Sequence, residues 1–246
     1  MAATAEILAD IAADAGLVVM RHYQSGTGQA RLKDDRSPVT DADEEAEKVI
    51  LAALAKAFPG VPVVAEEESA AGRVATVNDR FFLVDPLDGT KEFLSGNGEF
   101  TVNIAEIANG VPVAGAVYAP ARERMFFGGA DGAFENGKAI VARAAPKDGL
   151  VAVGSRSHGD AATKDFLERF AVKSFVGIGS SLKFCLVAAG EADIYARGGP
   201  TMEWDTAAGH AVLRAAGGDV KHWDGTSFRY GKPGFKNPAF VAYGRR

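Results

Sequence analysis

Phe81-Phe82-Leu83-Val84 is a run of four bulky apolar residues, and Asp85-Pro86-Leu87-Asp88-Gly89-Thr90 follows it without a break. The apolar run reads as a buried strand. Proline disfavours helix at the residue before it, which keeps Asp85 extended, and Gly89 removes a side chain where a phosphate could approach closely. Two carboxylates therefore leave one strand end together and can converge on a point. The Thr90 hydroxyl stands beside them, and the turn leaves the Leu87 carbonyl outside any ladder. Hard oxygen donors of this kind suit Mg²⁺. Alone, D-x-x-D-G is more often an ordinary turn between strands, so its meaning depends on partners elsewhere in the chain.

Three segments offer them. Glu66-Glu67-Glu68 follows Val63-Val64-Ala65 and so also sits at a strand exit; adjacent acids repel unless solvated or neutralised, and a solvated loop is the plainer explanation. Trp204-Asp205 heads a helix expected over 205–216, closed by Gly217-Gly218, where Asp205 could serve simply as an N-terminal cap. Lys33-Asp34-Asp35-Arg36-Ser37-Pro38-Val39-Thr40-Asp41 is a polar stretch of mixed charge that otherwise reads as a surface loop.

Around these points the texture is mixed. Apolar residues at helical spacing predict a helix over 4–23, broken at Gly26. A second helix is expected after Thr40, whose hydroxyl can cap it above the acidic first turn of Asp43, Glu44 and Glu45, with Phe58-Pro59-Gly60 ending it. Short β-rich runs at 61–65, 80–84, 100–107, 111–118 and 123–128 predict a largely antiparallel meander. Beyond Pro146, strands at 150–153, 174–177 and 192–196 alternate with helices at 161–170, 180–189 and 205–216, the pattern of an α/β unit. The change of texture suggests subdomains over 1–143 and 144–246, tightly packed, with a soft boundary at 142–147.

The 246 residues are 47% hydrophobic and 24% charged, enough for a well-packed core. The formal charge of -5 argues against a nucleic-acid polymer as partner, so an anionic ligand needs local cations. Glu6, Asp10 and Asp14 interrupt the N-terminal apolar residues, which reads as an amphipathic helix and not a secretion signal. No apolar stretch is long enough to span a bilayer. The single cysteine, Cys185, lies in an apolar run and reads as a buried thiol; a reducing, cytoplasmic setting is expected. A nucleophile frame such as G-x-S-x-G is absent.

Taken together and in order, Glu66-Glu67, Asp85-Pro86-Leu87-Asp88-Gly89-Thr90 and Trp204-Asp205-Thr206-Ala207-Ala208-Gly209 closely resemble the signature of the inositol monophosphatase superfamily. Lys91-Glu92-Phe93, Lys33-x-Asp35-x-Ser37-Pro38-Val39-Thr40 and Gly179-Ser180-Ser181-Leu182-Lys183-Phe184 resemble its 3′(2′),5′-bisphosphate nucleotidase branch. The resemblance implies an α/β (mixed α+β) fold, a layered αβαβα sandwich. It implies Glu66, Asp85, the Leu87 carbonyl and Thr90 on one Mg²⁺, Asp85, Asp88 and Asp205 on a second, and Glu66 with Asp35 helping a third. It also places Gly89, Thr90, Asp205, Ser180 and Lys183 at the substrate, with Arg156, His158 and Arg197 near its phosphate or sugar.

Two ions could divide hydrolysis, one activating a water and the other stabilising the leaving oxygen. Asp35, Thr90 and Glu66 are the catalytic candidates, the first two orienting the water. The expectation is a Mg²⁺-dependent phosphomonoesterase of adenosine 3′,5′-bisphosphate, and of its 5′-phosphosulfate relative, linked to sulfate assimilation and sensitive to lithium. The rivals are an inositol or broader sugar phosphatase and a non-catalytic metal-binding protein; a homodimer stays open.

Overall fold

The computed structural model describes residues 3–26, 31–32, 38–155 and 160–245. Helix α1 (Thr4–Ser25) buries Leu8, Ala12, Ala15 and Val19 along one stripe and stops where Gly26 turns left-handed at φ 64°. A two-residue ladder of β1 (Arg31–Leu32) and β2 (Pro38–Val39) leads into α2 (Asp41–Ala57). Thr40 caps α2 as its sequence predicts: its hydroxyl accepts the Ala42 N–H, and the Asp43 carboxylate accepts the Thr40 N–H in return.

Strands β3 (Val63–Ala65), β4 (Arg80–Asp88), β5 (Thr101–Ala108), β6 (Val111–Ala119), β7 (Arg124–Gly129), β8 (Gly132–Glu135) and β9 (Lys138–Ile140) form one sheet in chain order. Only β3 and β4 pair in parallel; the rest is the expected antiparallel meander. Two short helices leave its strand ends, α3 (Glu66–Ala70) after β3 and α4 (Thr90–Leu94) after β4. The three glutamates thus open a helix and do not form a loop.

The chain continues through β10 (Leu150–Gly154), α5 (Ala161–Leu167), β11 (Val172–Gly177), α6 (Leu182–Ala188), β12 (Ile194–Arg197), β13 (Thr201–Met202), α7 (Trp204–Ala215), β14 (Asp219–His222), β15 (Lys236–Asn237) and β16 (Phe240–Tyr243). A second sheet runs β11-β10-β12-β16-β14, parallel among the first three strands and antiparallel where β16 joins β12 and β14. The alternation in sequence reaches only the parallel part. Strands β14 and β16 are four residues each and are separated by a stretch rich in Gly and Pro, which hides them.

Helices α1 and α2 cover one face of the large sheet, and α7, with α6 beside it, lies on the other. The small sheet packs beyond α6, and α5 closes the far side over Ala152, Ile194 and Val241, giving the αβαβα layering. Every strand of the large sheet precedes residue 143, yet α7 from the second half is seated on that sheet. It lies flush because two strand positions carry no side chain. A Cβ on Gly115 would stand 2.8 Å from the Ala211 Cβ and 2.9 Å from the Ala208 carbonyl, and one on Gly128 would stand 2.8 Å from the Ala215 Cβ. This close seat brings the N-terminus of α7 to the ends of β3 and β4.

Candidate active site

The site starts from a bulge. Asp85 pairs with Asn103 and Asp88 with Thr101, so three steps on β4 match two on β5. Side chains alternate along a strand, and residues three apart would face opposite sides; the extra residue returns Asp88 to the side of Asp85. Pro86, which has no N–H to lose, sits inside the irregularity. The Leu87 N–H is satisfied locally by Asp85 Oδ1 at 3.0 Å.

Glu66, first residue of α3, and Asp205, in the first turn of α7, complete the cluster. Carboxylate oxygens of Glu66, Asp85 and Asp205 all lie within 4.8 Å of one another. Asp205 is not the cap of α7; its Oδ2 reaches back to accept the Met202 N–H at 2.8 Å. Burial, and then the Glu66, Asp88 and Asp205 charges, push the Asp85 carboxyl well above the usual range. Burial followed by Asp88 and Glu66 does the same to Asp205. Burial raises Asp88 to about 6 against the pull of Lys183 and Arg197. Carboxylates crowded in this way are stable in ionised form only beside a cation. With the Leu87 carbonyl and Thr90 hydroxyl they form an all-oxygen donor set that fits Mg²⁺.

Gly89 at φ 92° turns the chain into α4 and sets Thr90 against the cluster; a Cβ there would meet the Glu99 carbonyl at 3.1 Å. The Thr90 hydroxyl lies 3.4 Å from the Leu87 carbonyl and 3.4 Å from Asp43 Oδ1. Asp43 is 2% exposed, and its other oxygen holds the Thr40 N–H and hydroxyl at 2.8 and 2.6 Å. Read from sequence it is only an acid in a helix's first turn; the capping duty explains one oxygen, and the second faces the Thr90 hydroxyl. Asp35, expected as the partner of Thr90, lies outside the described residues, as do Arg156 and His158.

A cleft of about 290 Å³ opens over the cluster, with Glu66, Asp88, Gly89, Thr90 and Asp205 on its walls and Ser180, Lys183 and Arg197 among the lining residues. Lys91 and Glu92, which carry the branch resemblance, also line it, as does Ser155, from the 155–158 stretch expected near the substrate's phosphate or sugar; Tyr195, Thr201 and Thr206 line it too, and the sequence singled out none of these three for a role at the substrate. The expected helix over 180–189 begins later, at Leu182, because Ser180 is left-handed at φ 49° and forms part of a turn. That turn is sewn to the large sheet. The Gly179 N–H donates to Glu99 Oε2 at 2.8 Å, the Ser181 N–H is held by Asp88, and the Ser181 hydroxyl meets Thr101 and Asn103.

Lys183 is 4% exposed, with its ammonium donating to the Ile178 carbonyl at 3.2 Å and lying over the Tyr195 ring. Burial lowers its pKa to about 8, though Asp88 favours the charge. Arg197 is half-buried and donates to the Pro200 carbonyl. Cys185 is buried, as expected, and His210 is held between Tyr230 and Asp219 and does not line the cleft.

A model of the inositol monophosphatase family matches residues 1–242. The chain is a member of the inositol monophosphatase family. Among similar family members, the 3′(2′),5′-bisphosphate nucleotidase CysQ of Salmonella typhimurium is 44% identical over 240 residues, 96% of this chain and 97% of that protein. The protein of the same name from Escherichia coli K12 is 44% identical over 201 residues, 80% of this chain and 81% of that one. The crystal structure of CysQ from Bacteroides thetaiotaomicron, a bacterial member of the family, superposes with a TM-score of 0.83 at 36% identity, covering 98% and 97% of the two chains.

Proposed function

We propose that this chain is a Mg²⁺-dependent 3′(2′),5′-bisphosphate nucleotidase that removes the 3′-phosphate of adenosine 3′,5′-bisphosphate. The observation that carries the reading is one cleft with an oxygen-donor cluster on one wall and cations on another. Glu66, Asp85, Asp88, Asp205 and the Leu87 carbonyl would hold two or three ions. Bound Mg²⁺ supplies a water of lowered pKa and neutralises charge on the phosphate and leaving oxygen.

The chain's own groups do the rest. Thr90 holds the attacking water and passes its proton toward Asp43, whose Oδ1 lies 3.4 Å from the Thr90 hydroxyl. Lys183 and Arg197 supply the positive charge that the net charge of -5 denies the molecule as a whole, and with Ser180 they read the second phosphate. Similarity at 44% to the Salmonella nucleotidase over almost the whole chain supports that substrate. No described helix is long and apolar enough to cross a membrane, and a cytoplasmic site of action belongs to the proposal.

The test is phosphate release with Mg²⁺ from adenosine 3′,5′-bisphosphate, inositol 1-phosphate and fructose 1,6-bisphosphate in parallel. Highest kcat/KM on the nucleotide is expected; preference for inositol 1-phosphate would keep the metal chemistry and overturn the substrate.

A further inference from the structure

Asp43 and Glu47 lie one turn apart on α2, so their side chains leave the helix on one face. Asp43 reaches Thr90. Glu47, 3% exposed, reaches the first turn of α3, where its Oε2 accepts the Glu67 N–H and its Oε1 the Glu68 N–H, each at 2.8 Å. Among the described residues no cation forms an ion pair with it, and the nearby charges of Glu68 and Glu66 repel it. Burying a carboxylate is costly, and these two bonds offset part of that cost.

Their location matters more than their number. The Glu67 N–H belongs to the peptide unit that begins at the Glu66 carbonyl carbon, and that unit is planar. On the other side of Glu66, Ala65 is fixed in the ladder opposite Val84. Glu66 is therefore clamped between a strand and the Glu47 carboxylate. We propose that Glu47 is a positioning residue that aims Glu66 at Asp85 and Asp205 and thereby sets the affinity for Mg²⁺. The inference rests on the metal-site reading above.

The test titrates metal-free wild-type protein and E47Q with Mg²⁺ alone by calorimetry. Glutamine keeps the shape, but one of its two terminal atoms is a donor, so only one of the two N–H groups can be accepted. Partners that hold a metal ligand from behind typically contribute 10–100-fold to affinity, so the Kd is expected to rise by about that factor. Far-UV circular dichroism of the metal-free protein should not change. The KM for the bisphosphate at saturating Mg²⁺ should stay within about twofold, since uniform substrate binding is untouched. E47D, which keeps the charge but draws it back by one methylene, should also bind Mg²⁺ more weakly. Folded variants with wild-type Mg²⁺ affinity overturn the proposal. So does loss of fold in both, which would make Glu47 a residue of the core alone. Wild-type protein that takes up no Mg²⁺ would instead remove the metal-site reading beneath it.

Discussion

Replacing Asp43 by asparagine changes the size of the side chain very little and removes its charge. The native carboxylate uses Oδ2 for two donors of Thr40 and turns Oδ1 to the Thr90 hydroxyl. An amide has one acceptor oxygen, so it must choose. Kept toward Thr40, it preserves the cap and presents N–H to Thr90, which can no longer hand a proton in that direction. A positioned proton acceptor is worth about 10²–10⁴ in rate, or about 2.7–5.4 kcal/mol of barrier. Loss of kcat in that range is expected for D43N. The KM should change little, because Asp43 stands behind Thr90 and not among the residues lining the cleft. Stability should fall by no more than about 2 kcal/mol, the upper end for a damaged cap. Steady-state phosphate release at saturating Mg²⁺, with a thermal melt of the same sample, separates the effects. The double variant should be no worse than T90A alone, as for residues that act as one unit. A D43N enzyme with near-native kcat, beside a D35N enzyme without turnover, would refute the assignment and return the role to Asp35.

Three further outcomes are expected. The Lys183 ammonium is lost as pH rises through about 8, so KM for the bisphosphate should climb above that pH; K183M should lower kcat/KM by roughly 10–150-fold, the worth of a charged hydrogen bond, and should spare adenosine 3′-monophosphate. Asp88 is raised from 3.8 to about 6, so the metal-free native state binds more protons than the unfolded chain in that window and loses stability as pH rises through it; denaturant melts in EDTA should show this slope and Mg²⁺ should flatten it. Finally, G115A should destabilise by about 1–3 kcal/mol through overpacking against α7, seen as a lower Tm in the presence and absence of Mg²⁺ alike.

Much of the frame was legible because its signals are local. The spacing of Ile7, Leu8, Ile11, Ala15 and Val18, the Thr40 cap and the apolar run before Asp85 each declare an element without reference to the rest of the chain. The cluster of Glu66, Asp85 and Asp205 was legible through motif resemblance, while its convergence depends on long-range packing. What stayed hidden had two explanations, one of them already sufficient. Asp43 reads fully as an acid in the first turn of a helix, and Glu47 as one more acid in an acidic helix, until the fold brings Thr90 and the α3 turn to them. The start of α6 was misplaced because serine at φ 49° gives no sign of itself in sequence. Strands β14 and β16 vanish among breakers and form only because β12 offers an edge to β16.

The glycine seam under α7 also has a kinetic meaning. Glu66, Asp85 and Asp88 come from the first 90 residues and sit at the ends of adjoining strands, whereas Asp205 arrives on a helix more than a hundred residues later. Contacts so distant in sequence form late, after the entropy of closing the intervening chain has been met. A refolding molecule whose sheet is paired but whose α7 has not yet settled on Gly115 and Gly128 holds half a binding site, with little hold on the ion. Mg²⁺ should then act chiefly on the completed fold, slowing its unfolding and leaving the rate of folding almost unchanged. The recovery of Mg²⁺ binding would report the moment at which the two ends of the chain meet.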